Sequence, residues 1–318
     1  MRFLRAILGM LLCASPWAAV STTVALAQTA ERSAAGPVLG LAVQPGGLLI
    51  QEVVPGETYD FKEKTGIGLT IFNRDGRDRV YVLSTHRPSE SGSRRLPPGY
   101  SDLPDPAWLR FDREEMLVPA QGSVEVRMYL AIPADSRYWN QHWSVSVGVV
   151  GKATPGEMIN LAAYPRFEIE TAPAPRRELK LRPVGEIGLV PSRLTFARMT
   201  PGSRREAECI VCNNDKRRHW FRFSVLAEGV VSADQRIVAT GDSRWMPLPE
   251  WVRVREDKIW LAKWQTRSMA LRVRLPRTAE IPAEGWEAII LVQRDDGRTG
   301  FVRLLVTPQA TTEIGGQG

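Results

Sequence analysis

Two stretches decide the fold: "LAIPADSRYWNQHW", residues 130–143, and "VRLPRTAEIPAEGW", residues 273–286. In each, a proline stands ten residues before a tryptophan. Pro133 and Pro276 lie 143 residues apart, and Trp143 and Trp286 keep the same offset. So do Trp108 and Trp251, and Arg110 and Arg253. Between these landmarks Val124, Val126, Met128, Leu130 and Ile132 alternate where Arg267, Met269, Leu271, Val273 and Leu275 do. Upstream, "VVPGETYDF" and "TIFNRDGRDRVYVLS" parallel "MTPGSRREAECIVCNNDKRRHWFRFSV", with about six extra residues in the first copy. The register predicts one unit used twice.

The spacing has a physical reason. An inward-alternating strand ends at the proline, which has no amide hydrogen to give a ladder. A short loop crosses the end of the sandwich. The next strand opens with a tryptophan whose large face closes the core. Trp143 and Trp286 are therefore read as packing residues; a carbohydrate platform is the alternative, and it needs exposed rings.

Strand signals continue outward from these stretches. "GIGLTIFN", "RVYVLSTH", "SVEVRMYLAIP" and "HWSVSVGVV" alternate or run apolar between turn residues. "ECIVCNN", "WFRFSVLAE", "SMALRVRLP" and "WEAIILVQ" repeat the set. No stretch carries an apolar stripe of helical period and length. The expected fold is all-β, two tandem Ig-like β-sandwiches at 38–172 and 178–309, with almost no helix. "ETAPAPRREL" places a short, stiff linker at 173–177, and 310–318 reads as a flexible tail.

The amino terminus reads as an address. Arg2 and Arg5 precede an apolar run from Ala6, and Ala25-Leu26-Ala27 precedes Gln28. Basic head, apolar run and an A-x-A site describe a secretory signal peptide over 1–27. Pro16 and the shortness of the run argue against an anchor, since a span needs about 20 apolar residues. The expected location is periplasmic or secreted, with no integral span after cleavage. Without Arg2 and Arg5 the formal charge falls from +7 to +5. An exported chain with so modest an excess is not expected to bind nucleic acid. An anionic envelope polymer or surface stays compatible.

Chemistry is sparse. Cys209 and Cys212 form a C-x-x-C, but on a strand positions three apart face opposite sides. Two packed, inert thiols are expected, with a strained disulfide as the alternative. His86, His142 and His219 show no ligand spacing. No G-x-S-x-G, H-E-x-x-H, Walker loop or dinucleotide fingerprint occurs. "GDSR" at 241–244 reads as a loop and "DREE" at 112–115 as a hairpin turn with solvated charges. His219, before Trp220 at a strand start, reads as a surface or cap residue. Catalytic, metal and cofactor sites are accordingly expected to be none, and the chain is expected not to be an enzyme.

"LVPAQGSVEVRMYLAIPADSRYWNQHWSVSVGV", residues 117–149, resembles the amino-terminal domain of PapD-like periplasmic pilus-assembly chaperones. The matching elements are Gln121-Gly122, Val124 to Val126 with Arg127, Pro133-Ala134-Asp135, and Trp139 or Trp143. "VPSRLTFARMTPGSRREAECIVCNN", residues 190–214, is similar to Ig-like domains of the major sperm protein and ASH type. Two departures matter. Both halves here carry the whole Trp…Pro…Trp pattern, and the family's carboxylate-anchoring basic pair has no matched residues.

The resemblance implies a non-catalytic envelope protein that binds exported or surface proteins, such as pilus subunits. A structural or adhesive module binding a surface partner or glycan is the alternative. The family's donor strand would fall in "NLAAYPRFEIETAP", residues 160–173, where Leu161, Ala163, Phe167 and Ile169 share one face. That strand is either an edge that completes a partner's sheet or an ordinary last strand facing its own core. The stretch 87–107, rich in Pro, Ser, Gly and Arg, reads as a disordered or partner-binding loop. Its counterpart before Trp251 is more apolar and predicts a small extra hairpin.

Overall fold

Alternating apolar residues put one face of each strand into a core, and the computed structural model shows where those faces meet. It describes residues 24–25, 40–90, 96–153, 160–175, 182–226, 228–233, 235–241 and 243–309. The leader reading therefore lies outside the described residues, apart from Val24–Ala25, and so does the tail 310–318.

The first half holds β1 (Val24–Ala25), β2 (Leu41–Gln44), β3 (Gly47–Val53), β4 (Thr58–Asp60), helix α1 (Phe61–Thr65), β5 (Leu69–Asn73) and β6 (Arg79–His86). It continues with β7 (Ser101–Asp102), β8 (Leu109–Phe111), β9 (Glu115–Val118), β10 (Ser123–Val126) and β11 (Met128–Ala131). β12 (His142–Gly151), β13 (Ala162–Ala163) and β14 (Arg166–Thr171) close it. The second half runs through β15 (Ile187–Val190), β16 (Arg193–Met199), β17 (Arg204–Asn213), β18 (His219–Leu226), β19 (Val230–Ser232) and β20 (Gln235–Arg236). β21 (Arg244–Trp245), β22 (Val252–Val254), β23 (Lys258–Leu261), β24 (Thr266–Arg274), β25 (Trp286–Arg294) and β26 (Thr299–Pro308) follow.

The chain is all-β and Ig-like. In the first half a sheet ordered β1-β3-β14-β12-β6-β9 shares a core with two short sheets, β10-β5-β2 and β4-β11-β8. In the second, β16-β26-β25-β18-β23 shares a core with β15-β17-β24-β22. One core spans Leu41 to Ile169 and the other Leu189 to Val306. In both halves an early strand pairs parallel with the last one, β3 with β14 and β16 with β26.

The landmark residues behave as their chemistry requires. β11 stops at Ala131 and β24 at Arg274, each two residues before its proline. Trp143 is buried against Trp108 and Tyr138, with edge-on contacts at 5.8 and 5.7 Å. Trp286 is buried against Trp251 at 5.2 Å. Neither ring offers a platform to a sugar.

The extra residues of the first copy are α1. Where β17 runs unbroken, the first half inserts one helical turn between β4 and β5. Asp60 caps its start by accepting from Glu63 N, and Gly66 ends it at φ +73°. Phe61 drops into the core, edge-on to Tyr59 at 5.4 Å. The partner strand breaks opposite it at Arg127, which donates to Asp60 over 2.8 Å. That break splits one sheet into two.

A buried asparagine organises the same corner in both halves. Asn73 Nδ2 donates to Arg77 O, Val118 O and Pro119 O, while Oδ1 accepts from Asp75 N. Asn213 Nδ2 donates to Arg217 O, Leu261 O and Ala262 O, while Oδ1 accepts from Asp215 N. Each amide thus satisfies a hairpin turn and the end of a second strand at once. Removing the side chain strands buried carbonyls, each costing about 1–3 kcal/mol. Asn213→Ala should therefore lower the urea-unfolding free energy by roughly 2–4 kcal/mol, and Asn213→Asp should not rescue it.

Candidate functional site

The polar residues that the cores exclude gather between the halves. β14 carries Glu170 and β26 carries Arg303, both buried at the joint. Arg303 Nε donates to Glu170 Oε1 and Oε2 at 2.9 and 2.7 Å, and Nη2 to Oε1 at 2.5 Å. Arg303 Nη1 reaches Glu287 and Val238 O, the latter at 2.9 Å. Glu170 also accepts from Tyr100 Oη at 2.6 Å and Gln51 Nε2 at 2.7 Å. Arg193, ion-paired with Glu52, stands 3.4 Å from Glu170.

Burial alone would raise the Glu170 pKa, but Arg303, His142 and Arg193 outweigh it and hold the carboxyl well below the usual range. Glu170, with Glu287 and Tyr100, holds Arg303 charged against its own burial. Burial, then the Glu170 charge, keeps the Tyr100 phenol protonated. Every member is thus in the state that its neighbour needs. Breaking one side of a buried pair costs about 3–5 kcal/mol because a charge is left uncompensated. Arg303→Met strands both Glu170 and Glu287 and should lower stability by about that amount.

The joint is also packed. Asn140 Nδ2 donates to Ala174 O, and its Oδ1 accepts from Ala174 N and Ser192 N. Ala174 and Val190 form a small apolar cluster with Trp139 and Ile210. The chain leading into the linker is packed: Ala172 and Ala174 are buried, because Asn140 and this cluster fold residues 171–175 into the interface. Residues 176–181 lie outside the described ones.

Beside the joint opens a cleft of about 620 Å³ whose walls include Pro97, Gly99, Gln141, His142, Arg298 and Thr299. Its floor is His142, stacked on Phe301 at 3.9 Å and 8°. Gly99 has φ +80°, and a Cβ there would meet the Phe301 ring, so the loop crosses the joint closely only as glycine. Part of the stretch 87–107 is therefore ordered: Tyr100 and Leu103 are buried and Ser101–Asp102 pairs with β12. Residues 91–95 lie outside the described ones. The counterpart loop forms the expected hairpin, β19 with β20.

Burial lowers the His142 pKa to about 4; the Glu170 charge opposes that shift, while Arg303 and Arg193 add to it. The folded protein then binds fewer protons than the unfolded chain between pH 6.5 and about 4. Stability from this group is full above 6.5 and is lost as pH falls through that window, up to roughly 3 kcal/mol. His142→Phe keeps the stack and should flatten the dependence of Tm on pH between 6.5 and 4.

The candidate edge residues are placed otherwise than an edge requires. β14 lies between β12 and β3, so both of its sides are paired. Phe167 and Ile169 are fully buried, and Leu161 and Ala163 pack half-buried on the same core. Of the two readings of this strand, the donor edge is not what the structure shows: Leu161, Ala163, Phe167 and Ile169 fill their own sandwich, as an ordinary last strand does. The outer position is β3's, against which Val24–Ala25 adds as an antiparallel strand, pairing with Ile50 and Leu49.

Other candidates resolve structurally. Cys209 and Cys212 are both buried and form no disulfide, and burial pushes the Cys209 thiol up to about 12. His219 is not a surface residue; it is buried between Asp295, 2.7 Å from Nδ1, and Asp215, 3.3 Å from Nε2. "DREE" is the turn between β8 and β9, where Asp112 accepts from Arg127 N. "GDSR" falls partly outside the described residues. Among the described residues no group of three His, Cys, Asp or Glu side chains could hold a metal ion. Nor is any helix among them long and apolar enough to cross a membrane. Sequence reading missed Glu170 and Arg303; Arg303 is the one charge in an otherwise apolar β26, whereas Glu170 alternates with Arg166 and Glu168 and gives no such signal.

No family model matches the chain, and no curated protein does. Similar solved structures include a Porphyromonas gingivalis W83 protein of unknown function, 14% identical, covering 85% of this chain and all of its own, TM-score 0.33. The ASH/PapD-like domain 7 of human CEP192 is 12% identical over 53% of this chain and 99% of its own, TM-score 0.30. The E. coli chaperone DraB is 11% identical over 84% of this chain and 96% of its own, TM-score 0.29. At such scores the fold rests on the sheet order and registers, and any function rests on the site.

Proposed function

We propose that the chain is an exported, non-catalytic envelope protein that holds exported or surface proteins by strand addition, in pilus or fimbrial assembly. Residues 38–172 and 178–309 are two tandem Ig-like domains, and the leader 1–27 is removed after Ala27. The observation that carries this reading is the edge of β3. It takes an added strand at Leu49 and Ile50, and that strand belongs to the leader. Cleavage leaves the edge open, and open edges accept a partner's extended segment through main-chain hydrogen bonds.

The joint supports the same reading. Gln51, in β3, donates to Glu170 and to Thr240, so the edge strand is held by both halves. A partner strand would add to a preorganised rim, which reduces the ordering cost of binding. The second reading, a static module for a surface partner or glycan, is favoured by the cleft beside His142.

Capture of exported subunits by the processed chain tests the proposal. A peptide of residues Val20–Ala27 should compete for the β3 edge and release them. Capture indifferent to that peptide, with glycan binding in the cleft, would overturn the assembly reading.

A further inference from the structure

One end of the second half carries a surface that its own fold does not need. The turns 214–218, 262–265 and 295–298 meet there, because Asn213 bonds Arg217, Leu261 and Ala262, and Asp295 N donates to Trp220 O. Trp220, Trp260 and Trp264 are 45%, 41% and 47% exposed. Trp220 stands opposite Trp260 across β18 and β23, and Arg222 stands opposite Lys258. Lys216, Arg218 and Lys263 are exposed on the adjoining turns and make no ion pair among the described residues. The acids of this end are spoken for: Asp215 and Asp295 by His219, Asp296 by Arg294, and Glu186 by Arg294 and Arg298.

The first half provides the comparison. Its equivalent corner keeps Asn73 with the same bonds, and Gln121 with the positive φ of Trp264, +55° against +59°. Yet Val80 stands where Trp220 does, Leu117 where Trp260 does, and Gly76 and Asp78 where Lys216 and Arg218 do. The scaffold therefore requires neither a tryptophan nor a cation at these positions. The tryptophans and cations are additions to it, and packing does not account for them.

We propose that this end docks on an anionic lipid bilayer. Tryptophan rests by preference at the boundary between hydrocarbon and headgroups, and Lys and Arg beside it are drawn to anionic headgroups. Stacking on a sugar fits less well, because Lys258 Nζ already sits 4.2 Å over the Trp220 ring. A bilayer requires no free ring face. The docking is peripheral: three aromatic rings with flanking cations give reversible binding, weakened by salt.

The test is sedimentation with vesicles of phosphatidylglycerol and phosphatidylcholine, beside vesicles of phosphatidylcholine alone. The full chain should bind the anionic vesicles, lose binding at high salt and show a blue-shifted tryptophan emission. Replacing Lys216, Arg218 and Lys263 by Gln should weaken binding roughly a hundredfold at low salt. Trp220→Thr, Trp260→Thr and Trp264→Gln together should weaken it by at least about tenfold, with Tm unchanged because Asn213 and His219 remain. Binding driven by the apolar segment after Arg5 would survive both sets of substitutions, and that result would overturn the proposal. So would binding to an anionic polysaccharide without binding to vesicles.

Discussion

Glu170 and Arg303 meet where no water can solvate either, and the placement of both halves follows from that pair. Bringing two charges out of water costs several kcal/mol per ion, repaid only when the remaining lone pairs and protons find partners. Here they do. Tyr100, Gln51 and Arg193 complete Glu170, while Glu287 and Val238 O complete Arg303. Those partners come from β3, β16, β25 and the loops around residues 100 and 238, while β14 and β26 carry the pair itself. A small change of angle between the halves would leave several of them unpaired, so the network selects one arrangement. The cleft, the glycine crossing at Gly99 and the holding of β3 are consequences.

The two halves show how one frame supports different surfaces. Asn73 and Asn213 perform the same four-bond task, and both pairs of Trp residues close the same end. On that frame the first half inserts α1 and divides a sheet, whereas the second presents Trp220, Trp260 and Trp264. Packing constrains the interior positions tightly, since cores are close-packed. Exposed positions at the hairpin ends carry no such constraint, and there the halves diverge.

Several features were legible in the residues themselves. Strands followed from period-two alternation, and their ends from Pro133 and Pro276. The inert thiols followed from a C-x-x-C on a strand. The insertion could be counted, although its conversion into a capped helical turn depended on Phe61 finding a place beside Tyr59 and Phe167. The two readings of "NLAAYPRFEIETAP", a free edge or an ordinary last strand, could not be separated from its residues for a plain reason. A strand's alternation states which face is apolar, and says nothing of how many neighbours its backbone has. β14 is paired on both sides because β3, more than a hundred residues earlier, returns beside it.

The sequence alone therefore determined the all-β class and the places of the strand-ending prolines and core-closing tryptophans, because those depend on periods and side-chain types within a few residues. Tertiary structure decided which edge stands outermost, that Ala172 and Ala174 are interior, that His219 is buried between two aspartates, and that Glu170 is an ion-pair partner. Each of these is set by the burial of one segment against another distant in the chain. A charge in a strand reads as solvated until the opposing sheet arrives with an arginine.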